Sequence, residues 1–198
     1  GNGGLQDVDA LGWRLARVVR GAGPALLDAY DTERQFGADE NIRNSARSTR
    51  FMSPAPGAER IFRDAVLALA AEAPFARPMV NSGRLSRPCT YPLPDAPDDP
   101  ALPAGARPGA VAPDAPIGNG WLTEVLGGDF ALLALERAAP DVGLRVLSPA
   151  VTDTLRARYL GTAPGAIYLI RPDQVIAARW PMADAAAVQA ALAAAGGL

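Results

Sequence analysis

The sequence predicts an α+β protein: an N-terminal helical segment, a proline-rich connector, and a C-terminal α/β sandwich. Three observations carry this. Residues 1–79 place apolar side chains at spacings of three and four, in stretches broken by glycine and proline. Residues 80–120 concentrate proline and glycine. Residues 121–198 alternate short, continuous apolar runs with helical patterns, the order expected of a small sheet covered by helices.

The first helix is expected from about Gly3 to Val19, with Leu5, Val8, Leu11, Leu15 and Val19 as its core stripe and Gly21 as its terminator. Trp13 and Arg14 lie off that stripe, and Asp7 and Asp9 are placed in or near the first turn, where negative charge suits the helix dipole. Ahead of it, Gly1, Gly3 and Gly4 permit close backbone approach, and Asn2 is a good capping residue. Such a helix start offers unpaired N–H groups to an anion or an electron-rich ring oxygen; the alternative is a capped, solvated start.

Pro24 suits the first turn of a second helix running to about Phe51, with a break expected at Gly37. On it, Arg34, Arg43, Arg47 and Arg50 alternate with Asp31, Glu33, Asp39 and Glu40, which reads as a solvated or domain-facing surface laced with ion pairs. Ser53–Gly57 punctuates the chain before a third helix, Ala58 to about Ala73, with Ile61, Phe62, Val66, Leu67 and Leu69 as its apolar face. Beyond Pro74 the prolines fix an extended path, and the segment 80–88 is expected to add a short ordered loop before it. Cys89 has no neighbour that would specifically activate it and reads as a spectator thiol.

In the last third, Trp121–Gly128 reads as a short helix ended by glycine, Asp129–Leu135 as a buried strand, and Leu144–Leu147 as a second strand. Thr152–Gly161 reads as a helical turn. Ala166–Trp180 forms two strands joined by the turn Arg171-Pro172-Asp173-Gln174, and Ala183–Gly197 a closing helix with Gly196 just past it. Trp121 and Trp180 are candidate interface anchors by residue type, with a core or edge-strand role as the alternative.

Composition excludes several chemistries. All 19 basic residues are arginine; there is no lysine or histidine, so histidine bases, histidine metal ligands, Schiff-base lysines and a P-loop lysine are ruled out within these residues. No metal ligands and no catalytic side chain are assigned. A net charge of -2 without blocks of like charge gives no footprint for nucleic acid or an anionic membrane. One cysteine forms no internal disulfide, and no apolar run reaches the roughly 18 residues that span a bilayer, so a cytoplasmic setting is expected.

The opening stretch, Gly1-Asn2-Gly3-Gly4-Leu5-Gln6-Asp7 followed by Leu11, Trp13, Arg14 and Leu15, resembles the C-terminal flavin-contact motif of the FAD-dependent aromatic hydroxylases, the single-component flavoprotein monooxygenases. Residues 26–45, with Tyr30-Asp31-Thr32-Glu33-Arg34, resemble the Tyr-Asp-x-Glu-Arg stretch of the same family, although Gln35-Phe36 stands where Arg-Pro is usual. Ala166–Trp180 is similar to the final hairpin of the thioredoxin-like module that ends many of these enzymes.

The resemblance implies that backbone N–H groups at Gly1, Asn2 and Gly3 face the flavin ring, with FAD as cofactor, NAD(P)H as reductant, and a small aromatic substrate. It implies a fragment, inactive alone, whose partners are an upstream FAD-binding domain of the same chain and a candidate second copy in a homodimer. The division would be 1–79 helical segment, 80–120 connector, and 121–198 thioredoxin-like domain. That domain has no Cys-x-x-Cys, which excludes disulfide exchange and leaves, as the alternative function, a non-catalytic interaction or dimerisation module.

Overall fold

The computed structural model describes residues 2–80 and 88–196; the segment 81–87, where most of the expected loop falls, and Gly1 lie outside them. Two compact units are formed: residues 1–34 with 90–198, and Gln35–Cys89.

In the first unit, α1 (Asn2–Val19) ends as expected, at Gly21 with φ 103°. Its expected stripe is not core. Leu5, Val8 and Val19 are 71–80% exposed and Leu15 is exposed as well, whereas Ala10 and Arg14 are buried and Trp13 packs into the sheet layer. Periodicity reports a helix, but the neighbours decide which face is covered. Here the ring of Trp13 meets Phe130 edge-on, with centroids 5.6 Å apart. Because α1 starts at Asn2, its first turn carries no acid, and Asp7 and Asp9 fall in the second turn. α2 (Ala25–Met52) gives its first residues to this unit, and the helix continues through Gly37 without the expected break. An interior glycine costs about 1 kcal/mol against alanine, too little to interrupt the ladder alone.

The sheet follows the sequence. The hairpin of β1 (Pro116–Ile117) and β2 (Gly120–Trp121) leads into the single turn α5 (Leu122–Val125). Next come β3 (Ala131–Leu135), β4 (Arg145–Leu147), and α6 (Asp153–Leu155), which continues as a π-helical turn over Arg156–Leu160. β5 (Ala166–Ile170), β6 (Ile176–Trp180) and α7 (Ala185–Ala194) complete the unit.

The strand order is β4-β3-β5-β6, with β3 and β4 parallel and the other pairs antiparallel, a thioredoxin-like arrangement. Side chains alternate across it. Leu133, Leu135, Tyr168 and Ile170 join Leu122, Leu155 and Tyr159 on one face; Phe130, Leu132, Ile167 and Leu169 join Val188, Leu192 and Trp13 on the other. β3 and β5 are buried along their whole length, so the sheet is the middle of three layers.

The connector is extended, as its prolines dictate, but it is also packed. Leu102, Ala106 and Ala115 are buried. Gly109 N–H donates to Ile176 O at 2.8 Å, Ile176 N–H donates to Ala110 O at 2.9 Å, and Ala112 N–H donates to Gln174 O at 2.8 Å, so the connector lies along the free edge of β6. The Arg179 side chain donates to Asp98 at 2.5 Å and to Pro103 O at 2.6 Å, fixing the strap from beneath. Trp180 packs into the sheet layer, while Trp121 is half exposed.

The second unit comprises the rest of α2, α3 (Ala58–Glu72), a 3-10 turn (Pro74–Ala76) and α4 (Arg77–Val80). Of the expected α3 face only Val66 is buried; Ile61, Phe62, Leu67 and Leu69 are exposed. Cys89 is a buried free thiol.

One glycine tests the strap. Gly109 has φ 85°, and a Cβ there would collide with the Tyr91 carbonyl. Gly109→Ala should therefore cost more than about 1 kcal/mol in urea unfolding, whereas Gly105→Ala, in open space, should stay within about 0.5 kcal/mol of wild type. Equal stability of the two variants would mean that the strap does not hold the sheet edge.

Candidate functional site

Two groups of charged side chains fix the position of α1, and both use the Glu33-Arg34 pair of α2. The first is fully buried. Glu33 accepts from Arg171 Nη1 at 2.7 Å and Nη2 at 2.9 Å, and from Arg14 Nη2 at 2.7 Å. Asp173 accepts from Arg171 Nε at 2.9 Å and Nη2 at 2.7 Å, with Arg14 Nη1 at 3.5 Å. Arg14 Nη1 also donates to Ala10 O at 2.8 Å, and its guanidinium lies over the Trp13 ring, 4.6 Å from the centroid. Two guanidinium groups thus face two carboxylates, and α1, α2 and the β5–β6 turn meet at one neutral knot.

The protonation states follow from this packing. Burial would lift the Asp173 carboxyl, but the hydrogen bonds and charge of Arg171, then the charge of Arg14, outweigh it and hold Asp173 below the usual carboxylate range. Burial would likewise weaken Arg171, yet Asp173 and Glu33 hold its guanidinium above its ordinary value. Arg14 is pulled down by burial and then by the like charge of Arg171. Asp9, close by on α1, is raised by partial burial and by Asp173.

The second group holds the start of α1. Arg34 donates through Nε to Asp7 at 2.6 Å, through Nη1 to the Tyr91 hydroxyl at 2.6 Å, and through Nη2 to Gly3 O at 3.4 Å. Burial opposes the charge on Arg34, and the bonds to Asp7 and Tyr91 more than restore it. Of the predicted site residues, Gly1 lies outside the described residues, Asn2 opens α1, and Gly3 sits exposed in its first turn. A Cβ added at Gly3 or Gly4 would meet nothing within 4 Å, Leu5 and Gln6 are exposed, and the turn has no acid. The exposed first turn presents its N–H groups at the positive end of the helix dipole, a donor set that fits the electron-rich edge of a flat heterocycle.

Sequence reading missed most of this. Glu33 and Arg34 read as members of a solvated or domain-facing surface laced with ion pairs, with no partner named, and Arg171 and Asp173 as turn residues. Asp31, Asp39, Arg43, Arg47 and Arg50 are exposed in the way that reading expects. The available signal was the pair Trp13-Arg14 opposite the apolar stripe, because an aromatic beside an arginine off the stripe marks a second covered face.

The family described as FAD binding domain matches residues 1–45, which hold α1, Glu33 and Arg34. A 3-(3-hydroxy-phenyl)propionate/3-hydroxycinnamic acid hydroxylase from Mycobacterium sp. (strain JLS) is 38% identical over 141 residues, 67% of this chain and 24% of that protein. A tetracenomycin A2 monooxygenase-dioxygenase from Streptomyces glaucescens is 32% identical over 204 residues, 90% of this chain and 34% of that protein. Aklavinone-11 hydroxylase, solved with FAD and aklavinone, superposes on all of this chain with TM-score 0.71 at 22% identity, using 40% of its own length. The chain belongs with the FAD-dependent aromatic hydroxylases, and it spans about a quarter to a third of the length of these two curated relatives.

The buried knot sets an acid limit. A carboxylate held below its unfolded value of about 3.9 contributes stability above that pH and loses it as pH falls. Asp173→Asn should cost about 3–5 kcal/mol at pH 7 by leaving two guanidinium groups underpaired, and the gap to wild type should narrow at pH 3. Urea unfolding at the two pH values measures this; a gap that does not narrow would show that Asp173 titrates normally.

Proposed function

We propose that this chain forms the C-terminal portion of an FAD-dependent monooxygenase that hydroxylates an aromatic substrate, phenolic or polyketide, with NAD(P)H and dioxygen. The observation that carries the reading is the alignment of the tetracenomycin monooxygenase-dioxygenase across 90% of the chain, joined to a flavin-family match that covers α1. Bound FAD supplies the redox chemistry, taking hydride from the nicotinamide and activating dioxygen for insertion into the ring.

The residues of this chain contribute one wall. Backbone N–H groups at Gly1, Asn2 and Gly3 orient the ring edge and stabilise negative charge that builds there, a task that needs no titratable side chain. Arg34 fixes the turn that carries them, and the knot around Glu33 fixes the helix behind it. Residues 1–79 then belong to the flavin-binding region, 80–120 to a connector, and 121–198 to a thioredoxin-like domain whose lack of cysteine leaves it a packing role. An upstream flavin-binding domain is the natural partner, a cytoplasmic homodimer the natural assembly, and the isolated chain is inactive.

A second reading, a non-catalytic interaction module, draws on the half-exposed Trp121 and the absence of paired cysteines. Expression of the parent gene separates the two. The longer polypeptide should purify yellow and oxidise NAD(P)H in the presence of a phenol or polyketide, while residues 1–198 alone retain no FAD. A colourless parent protein that cannot be reconstituted with FAD would overturn the enzyme reading.

A further inference from the structure

We propose that Arg34 is a positioning residue for the flavin edge, and that Tyr91 of the connector, through Arg34, couples the thioredoxin-like module to the flavin-facing start of α1. This rests on the flavoenzyme reading above and goes beyond it, by giving the distant module a physical route to the cofactor.

Three features support the proposal. The guanidinium of Arg34 spends each of its three nitrogens on a different element: Asp7 on the second turn of α1, the Gly3 carbonyl on the first, and the Tyr91 hydroxyl on the connector. Gly3 O lies in the first turn of α1, so an anchor on it restrains the turn that carries the free N–H groups of a helix start. Tyr91 is itself fixed from the module side. Its N–H donates to Gly109 O at 2.9 Å, and Gly109 N–H donates to Ile176 O of β6 at 2.8 Å. A continuous chain of hydrogen bonds therefore runs from β6 through Gly109, Tyr91 and Arg34 to Gly3. Lysine could not replace Arg34 here, because a single ammonium does not span three partners in fixed, divergent directions.

Tyr91→Phe removes only the hydroxyl that meets Arg34, and Arg34→Lys keeps the charge but loses the fork. Both test the link without emptying the core, with Tyr159→Phe as a control, a buried tyrosine whose hydroxyl donates to Pro113 O instead. In the flavin-free chain, amide hydrogen exchange of residues 6–10 should accelerate about tenfold in both variants, the loss of one hydrogen bond to a charged group, while α7 stays protected. In the FAD-loaded longer polypeptide, both variants should weaken FAD binding about tenfold and lower the flavin midpoint potential; the control should change neither.

Unchanged exchange at residues 6–10 would overturn the clamp whatever the fate of the flavin. Faster exchange with unaltered FAD affinity and potential would overturn its positioning role. A wild-type longer polypeptide that holds no FAD would instead defeat the flavoenzyme reading, and this proposal with it.

Discussion

The bidentate embrace of Glu33 by Arg171, completed by Arg14 and Asp173, is the constraint on which the first unit depends. It joins residues 138 positions apart in sequence, and it does so in a place where an unpaired charge would be expensive. A buried ionic knot contributes less to net stability than its short distances suggest, because desolvation offsets most of the attraction. What it contributes is specificity: few other arrangements of α1, α2 and the β5–β6 turn would pair two guanidinium groups with two carboxylates at once. The stacking of Arg14 over Trp13, and of Trp13 against Phe130, ties that polar knot to the apolar layer under the sheet.

From this follows the position of the helix start. The knot holds the middle of α1, Arg34 holds its beginning, and neighbouring residues of one Tyr-Asp-x-Glu-Arg stretch do both. Preorganised backbone donors are useful in proportion to their rigidity, since a dipole that must first be oriented has already spent the benefit. On the proposed reading, the wall supplied by these residues would gain its rigidity from the sheet-bearing module. The strap along β6, anchored by Arg179 on Asp98 and Pro103, brings that rigidity to Tyr91.

Much of the fold was legible in the sequence. The four strands of the main sheet and the closing helix appear where the short apolar runs and glycine stops place them, whereas the small hairpin that ends at Trp121 is not expected from the sequence, in which Trp121 reads as the start of a helix. What local pattern could not supply was the identity of the covered faces. The stripe Leu5-Val8-Leu15-Val19 has a clean helical period and is exposed, while the face with Ala10 and Arg14 is buried because Glu33, Arg171 and Asp173 arrive from distant segments. The same reason explains Glu33 and Arg34, whose alternating charges suit a solvated surface and a domain-facing one equally. The family motif singled out the right segments, yet a motif names residues without saying what they touch; the roles of Arg14, Tyr91 and Arg171 emerge only from the tertiary contacts.

The central claim is that helices from the start of the chain and the thioredoxin-like sheet form one body through the Glu33 knot. A double-mutant cycle between Glu33→Gln and Arg171→Met, read by urea unfolding at pH 7, tests it most directly. A coupling energy above about 1.5 kcal/mol is predicted, since either single change already breaks the knot, whereas losses that add to within about 0.5 kcal/mol would contradict the account.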